Sequence, residues 1–229
     1  MFNTIGIITK RQDITSEKTA RELCIFLKEQ GVSFVEDEKV IKKNADLIIV
    51  VGGDGSILST ARTYVDSNIP ILGINLGRLG FLADVSVEAM MTVLTDILSG
   101  EYIKEERALL NCQVEREGNI LSQHLAFNEV VVHRNETPRM IEFELFVDGD
   151  FVNKQRADGM IVTTPTGSTA YALSSGGPIM HPSVNTICLV SISPHTMSHR
   201  PFILHGESEV LISLIDSDDK ATVSFDGQA

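Results

Sequence analysis

Apolar and polar residues follow one rhythm up to about residue 100 and a different one after it. In the first part, short apolar runs are followed by stretches with helical spacing. Residues 5–9 form such a run, and Ser16 is expected to cap a helix in which Ala20, Leu23, Cys24 and Leu27 recur at i, i+3, i+4 and i+7 before Gly31. That is the spacing of one helix face ended by a glycine. Residues 32–35 return as a strand, 37–46 are polar, and 47–51 (LIIVV) are apolar without interruption, which predicts a parallel strand buried on both faces. A helix is expected from Ser56 towards Val65, a strand over 71–75 behind Pro70, and another helix over about 87–98 ended by Gly100. Strands alternating with helices predict a parallel sheet with helices packed on its faces.

Beyond residue 101 the period is two. Ile141, Phe143, Leu145 and Val147 alternate with Glu142, Glu144 and Phe146 as in a half-buried strand. Glu117-Gly118-Asn119 and Asp148-Gly149 have the composition of hairpin turns. Further strands are expected over 121–132, 160–164, 187–192, 202–204, 210–215 and 221–225, with one helical turn near Thr169. The division predicted is an α/β domain over 1–100 and a β-rich domain over 101–229.

The central apolar run leads straight into Gly52, Gly53, Asp54 and Gly55. Ligands of open α/β sheets bind beyond the carboxyl ends of the strands. Glycine lets the backbone approach a ligand and adopt positive φ, and the start of a helix offers N–H groups to an anion, so this loop suits phosphate. Asp54 does not fit a plain phosphate cradle, because a carboxylate repels the group such a cradle binds. It reads either as the N-cap of the next helix or as a functional carboxylate. No G-x-x-x-x-G-K-[ST] sequence is present, which excludes a P-loop kinase. A second stretch over 158–178, DGMIVTTPTGSTAYALSSGGP, again follows a strand and opens a helix. Its N–H groups and small hydroxyls suit ribose and phosphate oxygens, or else make a structural turn with Ser/Thr caps. Asn128-Glu129, in AFNEVVVH, is either fixed at a strand end facing a cleft or solvated on a rim.

Composition narrows the partners. The chain has 229 residues, of which 43% are hydrophobic, enough for proper cores. No apolar stretch is long enough to span a membrane and the first residues lack a signal-peptide pattern, so a cytoplasmic protein is expected. Cys24, Cys112 and Cys188 are widely separated with no CxxC, which predicts free thiols. A net charge of -12 argues against a nucleic-acid surface. A polyphosphate ligand is therefore expected to be held by backbone donors, a few arginines and a metal ion.

Gly52-Gly53-Asp54-Gly55, NLGRLGFLAD over 75–84, Asn128-Glu129 and DGMIVTTPTGSTAYALSSGGP, in this order and spacing, closely resemble the bacterial NAD kinases over essentially the whole chain. GGDG alone is shared with phosphofructokinases and diacylglycerol-type lipid kinases; the combination is not. The resemblance implies a Rossmann-like parallel α/β domain followed by a sandwich-like β-rich domain, with the active site in the cleft between them. It implies transfer of the terminal phosphoryl group of ATP, with a divalent cation, Mg2+ being expected, to the 2′-hydroxyl of the adenosine ribose of NAD. Asp54 would accept the hydroxyl proton. Asp54 and Gly55 would contact the dinucleotide, while Gly52 and Gly53 border the ATP phosphates.

By the same resemblance Asn128 and Glu129 would grip adenosine. Phe81 and Leu82 would wall the adenine or else pack in the core. Arg139, Arg156, Asp158, Thr166, Thr169, Ala170, Tyr171, Ala172, Leu173, Ser174 and Gln228 would touch NAD. Arg78 reads as a solvated arginine, with the donor phosphates as the alternative, and no metal ligand is assigned. Members of the family assemble as homodimers or homotetramers through the β half, and usually continue with further β structure beyond the position of Ala229. The partners implied are small-molecule nucleotides, with neither nucleic acid nor membrane. Two other readings share parts of the pattern: a lipid or sugar kinase carrying GGDG, and a non-catalytic NAD(P) sensor.

Overall fold

The computed structural model describes residues 2–10, 13–77, 80, 82–83, 85–135, 139–195, 199–215 and 221–227. The chain divides into two compact units, Met1–Lys104 and Glu105–Ala229.

In the first unit, strands β1 (Thr4–Thr9), β2 (Ser33–Val35), β3 (Leu47–Val51), β4 (Ile71–Asn75) and β5 (Val85–Ser86) form a wholly parallel sheet in the order β2-β1-β3-β4-β5. Every residue of β3 is buried. Leu47, Ile49 and Val51 pack with Ile5 and Ile7 against Leu23 and Leu27 of helix α1 (Ile14–Glu29), and against Met90 and Leu94 of the later helix Met90–Ser99. Ile48 and Val50 point the other way, to Ile41 of α2 (Glu38–Asn44) and to Ile57 and Tyr64 of α3 (Asp54–Tyr64). The helix Met90–Ser99 is α4 and ends on Gly100, at φ +99. A strand covered on both faces has no polar side to show, which is why the run LIIVV does not alternate.

One helix is unexpected, and two helix starts are corrected. The polar stretch 37–46 contains a helix: Asp37 caps α2 by accepting from the N–H groups of Lys39 (2.9 Å) and Val40 (3.1 Å). Ile41 is the only buried residue in this helix, too little to make a pattern. The N-cap of α1 is Asp13, which accepts from Ser16 N–H at 3.0 Å. Ser16 lies inside the helix, and its hydroxyl donates to the Val51 carbonyl (2.7 Å) and accepts from Lys10 N–H (3.1 Å). Helix α3 in turn begins at Asp54 rather than Ser56.

The second unit holds β6 (Leu110–Arg116), β7 (Asn119–Ala126), β8 (Glu129–Arg134), β9 (Ile141–Val147), β10 (Asp150–Ala157), β11 (Gly159–Thr163), β12 (Thr186–Ile192), β13 (Phe202–His205), β14 (Val210–Leu214) and β15 (Ala221–Phe225). They form an antiparallel sheet β13-β12-β11-β8-β15, a smaller sheet β10-β9-β14 and the hairpin β6-β7. Ile141, Phe143 and Leu145 of β9 pack on Met160 and Leu189 of the larger sheet. The opposite face of that sheet, with Val131, Ile161, Cys188 and Val190, is covered by Met180 and by Ala172 of the short helix α5 (Tyr171–Ser174). The hairpin lays Leu110, Cys112 and Val114 against Val130 and Phe225.

Both expected hairpin turns place two successive residues at positive φ, Glu117 (52) with Gly118 (77) and Asp148 (51) with Gly149 (87), as a type I′ turn requires. The strand expected over 121–132 is two strands, β7 and β8, interrupted at Phe127 and Asn128, where side chains from elsewhere in the unit draw off the backbone groups. Among the described residues no helix is long and apolar enough to cross a membrane.

Candidate functional site

At the carboxyl end of β3 the chain turns through Gly52 and Gly53 into α3. Gly52 N–H donates to the Ile74 carbonyl at 3.0 Å, extending the sheet by one bond. Gly53 is the N-cap, at φ -96 and ψ -177, and among the described residues no side chain caps the helix. Asp54 is thus the first helical residue and not its cap, where a negative charge is favoured by the helix dipole. Positive φ is not the reason for these glycines, since neither Gly52, Gly53 nor Gly55 adopts it. Gly53 and Gly55 differ from their neighbours in space: both are exposed, and apart from chain neighbours and the helix's own backbone no described atom lies within 4 Å of where a Cβ would stand. A ligand can reach the backbone on either side of Asp54.

The Asp54 carboxylate is half-buried, and its Oδ1 accepts from the N–H groups of Leu82 and Ala83, each at 3.3 Å. The loop after β4 passes this close because Gly80 has no side chain: a Cβ there would stand 2.1 Å from Oδ1. Buried Asn75, at the end of β4, begins the same loop by accepting from Gly77 N–H at 3.0 Å. Leu82 packs on the Ile48, Val50 and Ile57 cluster, in keeping with the core reading of that residue. Phe81 and Arg78 lie outside the described residues.

The second unit contributes another constellation at the break between β7 and β8. Asp226 accepts three successive backbone N–H groups, Phe127 on Oδ2 (3.0 Å), and Asn128 (2.7 Å) and Glu129 (3.2 Å) on Oδ1. Its own N–H donates to the Glu129 carbonyl at 3.0 Å. The neighbouring carbonyls are taken from the other side. Thr164 Oγ1 donates to Phe127 O (2.7 Å), while Thr163 Oγ1 (3.1 Å) and Thr164 N–H (2.9 Å) donate to Asn128 O. A Cβ on Gly167 would stand 2.1 Å from that same Asn128 oxygen, so glycine is required by close approach. Backbone groups held this way are lost to the β ladder, and the strand breaks.

Glu129 opens β8 and is 5% exposed. Its Oε2 is buried with no hydrogen-bond partner among the described residues. Burial first, and the nearby Asp226 carboxylate second, push its pKa up to about 7, against a lowering from the Tyr171 backbone N–H. An orphaned buried carboxyl oxygen is unfavourable.

The glycine- and serine-rich stretch is more self-contained than its composition suggests. Ser168 Oγ donates to Pro165 O (2.6 Å) and accepts from Met180 N–H (3.0 Å), and Thr169 Oγ1 donates to the carbonyl of buried Thr166 (3.3 Å). With Thr163 and Thr164 also engaged, these hydroxyls hold the fold together. Ala172 is buried in the core, Thr169 and Ala170 are half-buried, and Tyr171, Leu173 and Ser174 are exposed. Arg139 and Arg156 are exposed, and Asp158 pairs with Arg134 Nε at 3.1 Å. Gln228 lies outside the described residues. The structure thus brings Asn128, Glu129 and the backbone of Tyr171 together around Asp226 and the Thr163–Thr164 pair. Asp226 is the residue that sequence reasoning missed, and an Asp-Gly pair after the last strand is its only signal. No group of three or more His, Cys, Asp or Glu that could hold a metal occurs among the described residues.

Comparison with known proteins agrees across the chain. The family model of the ATP-NAD kinase N-terminal domain matches residues 36–102, and that of the ATP-NAD kinase C-terminal domain matches residues 127–229. The NAD kinase of Hydrogenovibrio crunogenus is 47% identical, covering 100% of this chain and 85% of that protein. The NAD kinase of Teredinibacter turnerae is 42% identical, covering 100% and 84%. Among solved structures, yeast NADH kinase complexed with NADH is similar with a TM-score of 0.88 at 26% identity, over 99% of this chain and 74% of that one. An NAD kinase from Archaeoglobus fulgidus in complex with ATP has a TM-score of 0.73 at 27% identity, over 98% and 91%.

Proposed function

The chain belongs to the ATP-NAD kinase family, and from that premise we propose that it transfers the γ-phosphoryl group of ATP to the 2′-hydroxyl of the adenosine ribose of NAD, with Asp54 accepting the hydroxyl proton. The bond from the ribose oxygen to the γ-phosphorus forms, the bond from that phosphorus to the β-bridging oxygen breaks, and the products are NADP and ADP. The observation that carries this reading is the way Asp54 is held, oriented by two N–H groups on Oδ1 and flanked by two glycines open to a ligand. An ordinary carboxylate is a weak base for an alcohol. In a loose phosphoryl-transfer transition state, however, the proton leaves late, and orientation matters more than basicity.

In this reading Gly52 and Gly53 border the donor phosphates at the positive end of α3. Asn128 and Glu129 receive the adenosine ribose, with the orphaned Glu129 Oε2 as acceptor when ionised and donor when protonated. Gly55, Phe81, Arg139, Arg156, Asp158, Thr166, Thr169, Ala170, Tyr171, Ala172, Leu173, Ser174 and Gln228 are the further NAD contacts. A divalent cation, Mg2+ by this reading, would enter with the triphosphate and would neutralise charge on the phosphates.

The α/β unit supplies the donor loop, and the β-rich unit supplies NAD recognition and assembly of a homodimer or homotetramer in the cytoplasm. Exposed Phe151, Leu211 and Leu214 on the smaller sheet support assembly, and a monomeric mass by light scattering at micromolar concentration would contradict it.

One assay separates this function from its rivals. The protein is incubated with ATP, magnesium and NAD, and the product is coupled to an NADP-specific dehydrogenase; NADP formation is expected. ATP turnover only with a lipid or sugar acceptor points to another GGDG kinase. NAD binding without turnover points to a sensor.

A further inference from the structure

We propose that Asp226 is a positioning residue for the dinucleotide: by accepting the N–H groups of Phe127, Asn128 and Glu129 together, it sets the two side chains that receive the adenosine ribose. The inference rests on the reading of Asn128 and Glu129 as the NAD-binding pair. In a regular strand, successive N–H groups point to opposite sides. Here three in a row converge on one carboxylate, so the backbone at Asn128 is held out of the strand conformation. The clamp is reciprocal, because Asp226 N–H returns a bond to the Glu129 carbonyl. It is also completed from the far side by Thr163 and Thr164 on the carbonyls of Phe127 and Asn128. All of these bonds fix main chain; what they leave over is the Glu129 Oε2, buried and unpartnered among the described residues.

Asp is the one short side chain with two acceptor oxygens and no donor. Asn would turn an amide N–H2 toward one of the three N–H groups, and Ser offers a single oxygen. A merely structural anchor gains nothing from a second carboxylate beside buried Glu129, since like charges raise the free energy of the ionised pair. The protein contains a matched structural case for contrast. Asp148 is also an Asp at positive φ followed by Gly, and its Oδ1 accepts from one distant N–H, that of Glu209 at 2.8 Å. No site residue stands there.

The test uses the whole protein. KM for NAD, KM for ATP, kcat and melting temperature are measured for Asp226→Asn, Glu129→Gln, the double variant and the control Asp148→Asn. Asp226→Asn is expected to raise KM for NAD by about tenfold or more with KM for ATP changed by less than about twofold, and to add less than about threefold when Glu129 is already Gln. Asp148→Asn should leave both KM values unchanged. If Glu129→Gln raises KM for NAD and Asp226→Asn does not, the positioning role is wrong. It is equally wrong if Asp226→Asn raises both KM values together, in step with its loss of melting temperature. If Glu129→Gln itself leaves KM for NAD unchanged, it is the reading of the NAD-binding pair that fails, and the positioning role falls with it. Asp226→Ser, which keeps one acceptor, carries the same readings should Asp226→Asn not fold.

Discussion

The orientation of the Asp54 carboxylate depends on a methyl group that is missing at Gly80. With a Cβ only 2.1 Å from Oδ1, Gly80→Ala must push the carboxylate aside while leaving its charge in place. Asp54→Asn does the opposite, keeping an oxygen for the Leu82 and Ala83 N–H groups and removing the base. Asp54→Asn is expected to lose roughly 10²- to 10⁴-fold in kcat with little change in KM for NAD, and Gly80→Ala to lose at least about tenfold. The coupled assay reads both, and wild-type turnover of Asp54→Asn would remove Asp54 from the mechanism.

Glu129 makes a separate prediction through stability. Its pKa rises from 4.5 to about 7 on folding, so between those values the folded protein holds a proton that the unfolded chain has released. The stability from this group is present below about 4.5 and lost as pH rises through about 7. Glu129→Gln has no such proton. Its melting temperature, relative to wild type, should therefore improve by about 3 °C or more between about pH 5 and about pH 8; an equal difference at both would show that the carboxyl is not buried. Asp54, Asn128 and Glu129 could be singled out in the sequence because each sits inside a local motif. Gly80, Thr164 and Asp226 were not, because each acts on a residue far along the chain.

Among the elements, α1 shows where local pattern succeeds and stops. Its apolar spacing locates the helix, yet Ser16, which looks like a cap, is 0% exposed and joins the helix to Lys10 and to the Val51 carbonyl at the end of β3. Asp13→Ala should cost about 1 kcal/mol, the usual value of a cap. Ser16→Ala should cost more, about 1–3 kcal/mol, because it removes two hydrogen bonds at a buried site and leaves the Val51 carbonyl with only the Lys10 N–H at 3.3 Å. Chemical denaturation of the two variants measures the difference, and equal losses would return the capping role to Ser16. The helix α2 escapes pattern reading because one buried residue has no period. Strands β7 and β8 read as one because both are rich in apolar residues, and the break between them is imposed by Asp226 and the two threonines.

For the molecule as a whole, a formal charge of -12 and the lack of a metal-holding cluster among the described residues bear on the cation. Chelating divalent ions should stop turnover while moving the melting temperature by less than about 1 °C, since a cation held by the substrate stabilises nothing in its absence. A drop of several degrees in calorimetry would reveal a cation bound by the protein itself.

The sequence by itself determined the alternation of strands and helices in the first part, the change of period near residue 100, the glycine loop around Asp54 and the family, because periodicity, turn chemistry and motifs are written in neighbouring residues. Only the tertiary structure decided that Asp54 begins its helix instead of capping it. It alone showed that Gly80 leaves room for the Asp54 carboxylate, that Ser168 and Thr164 serve the fold, and that Asp226 holds the Asn128-Glu129 segment. Those are contacts between residues distant in sequence, set by packing and by where each backbone N–H and carbonyl finds its partner, and no local pattern encodes them.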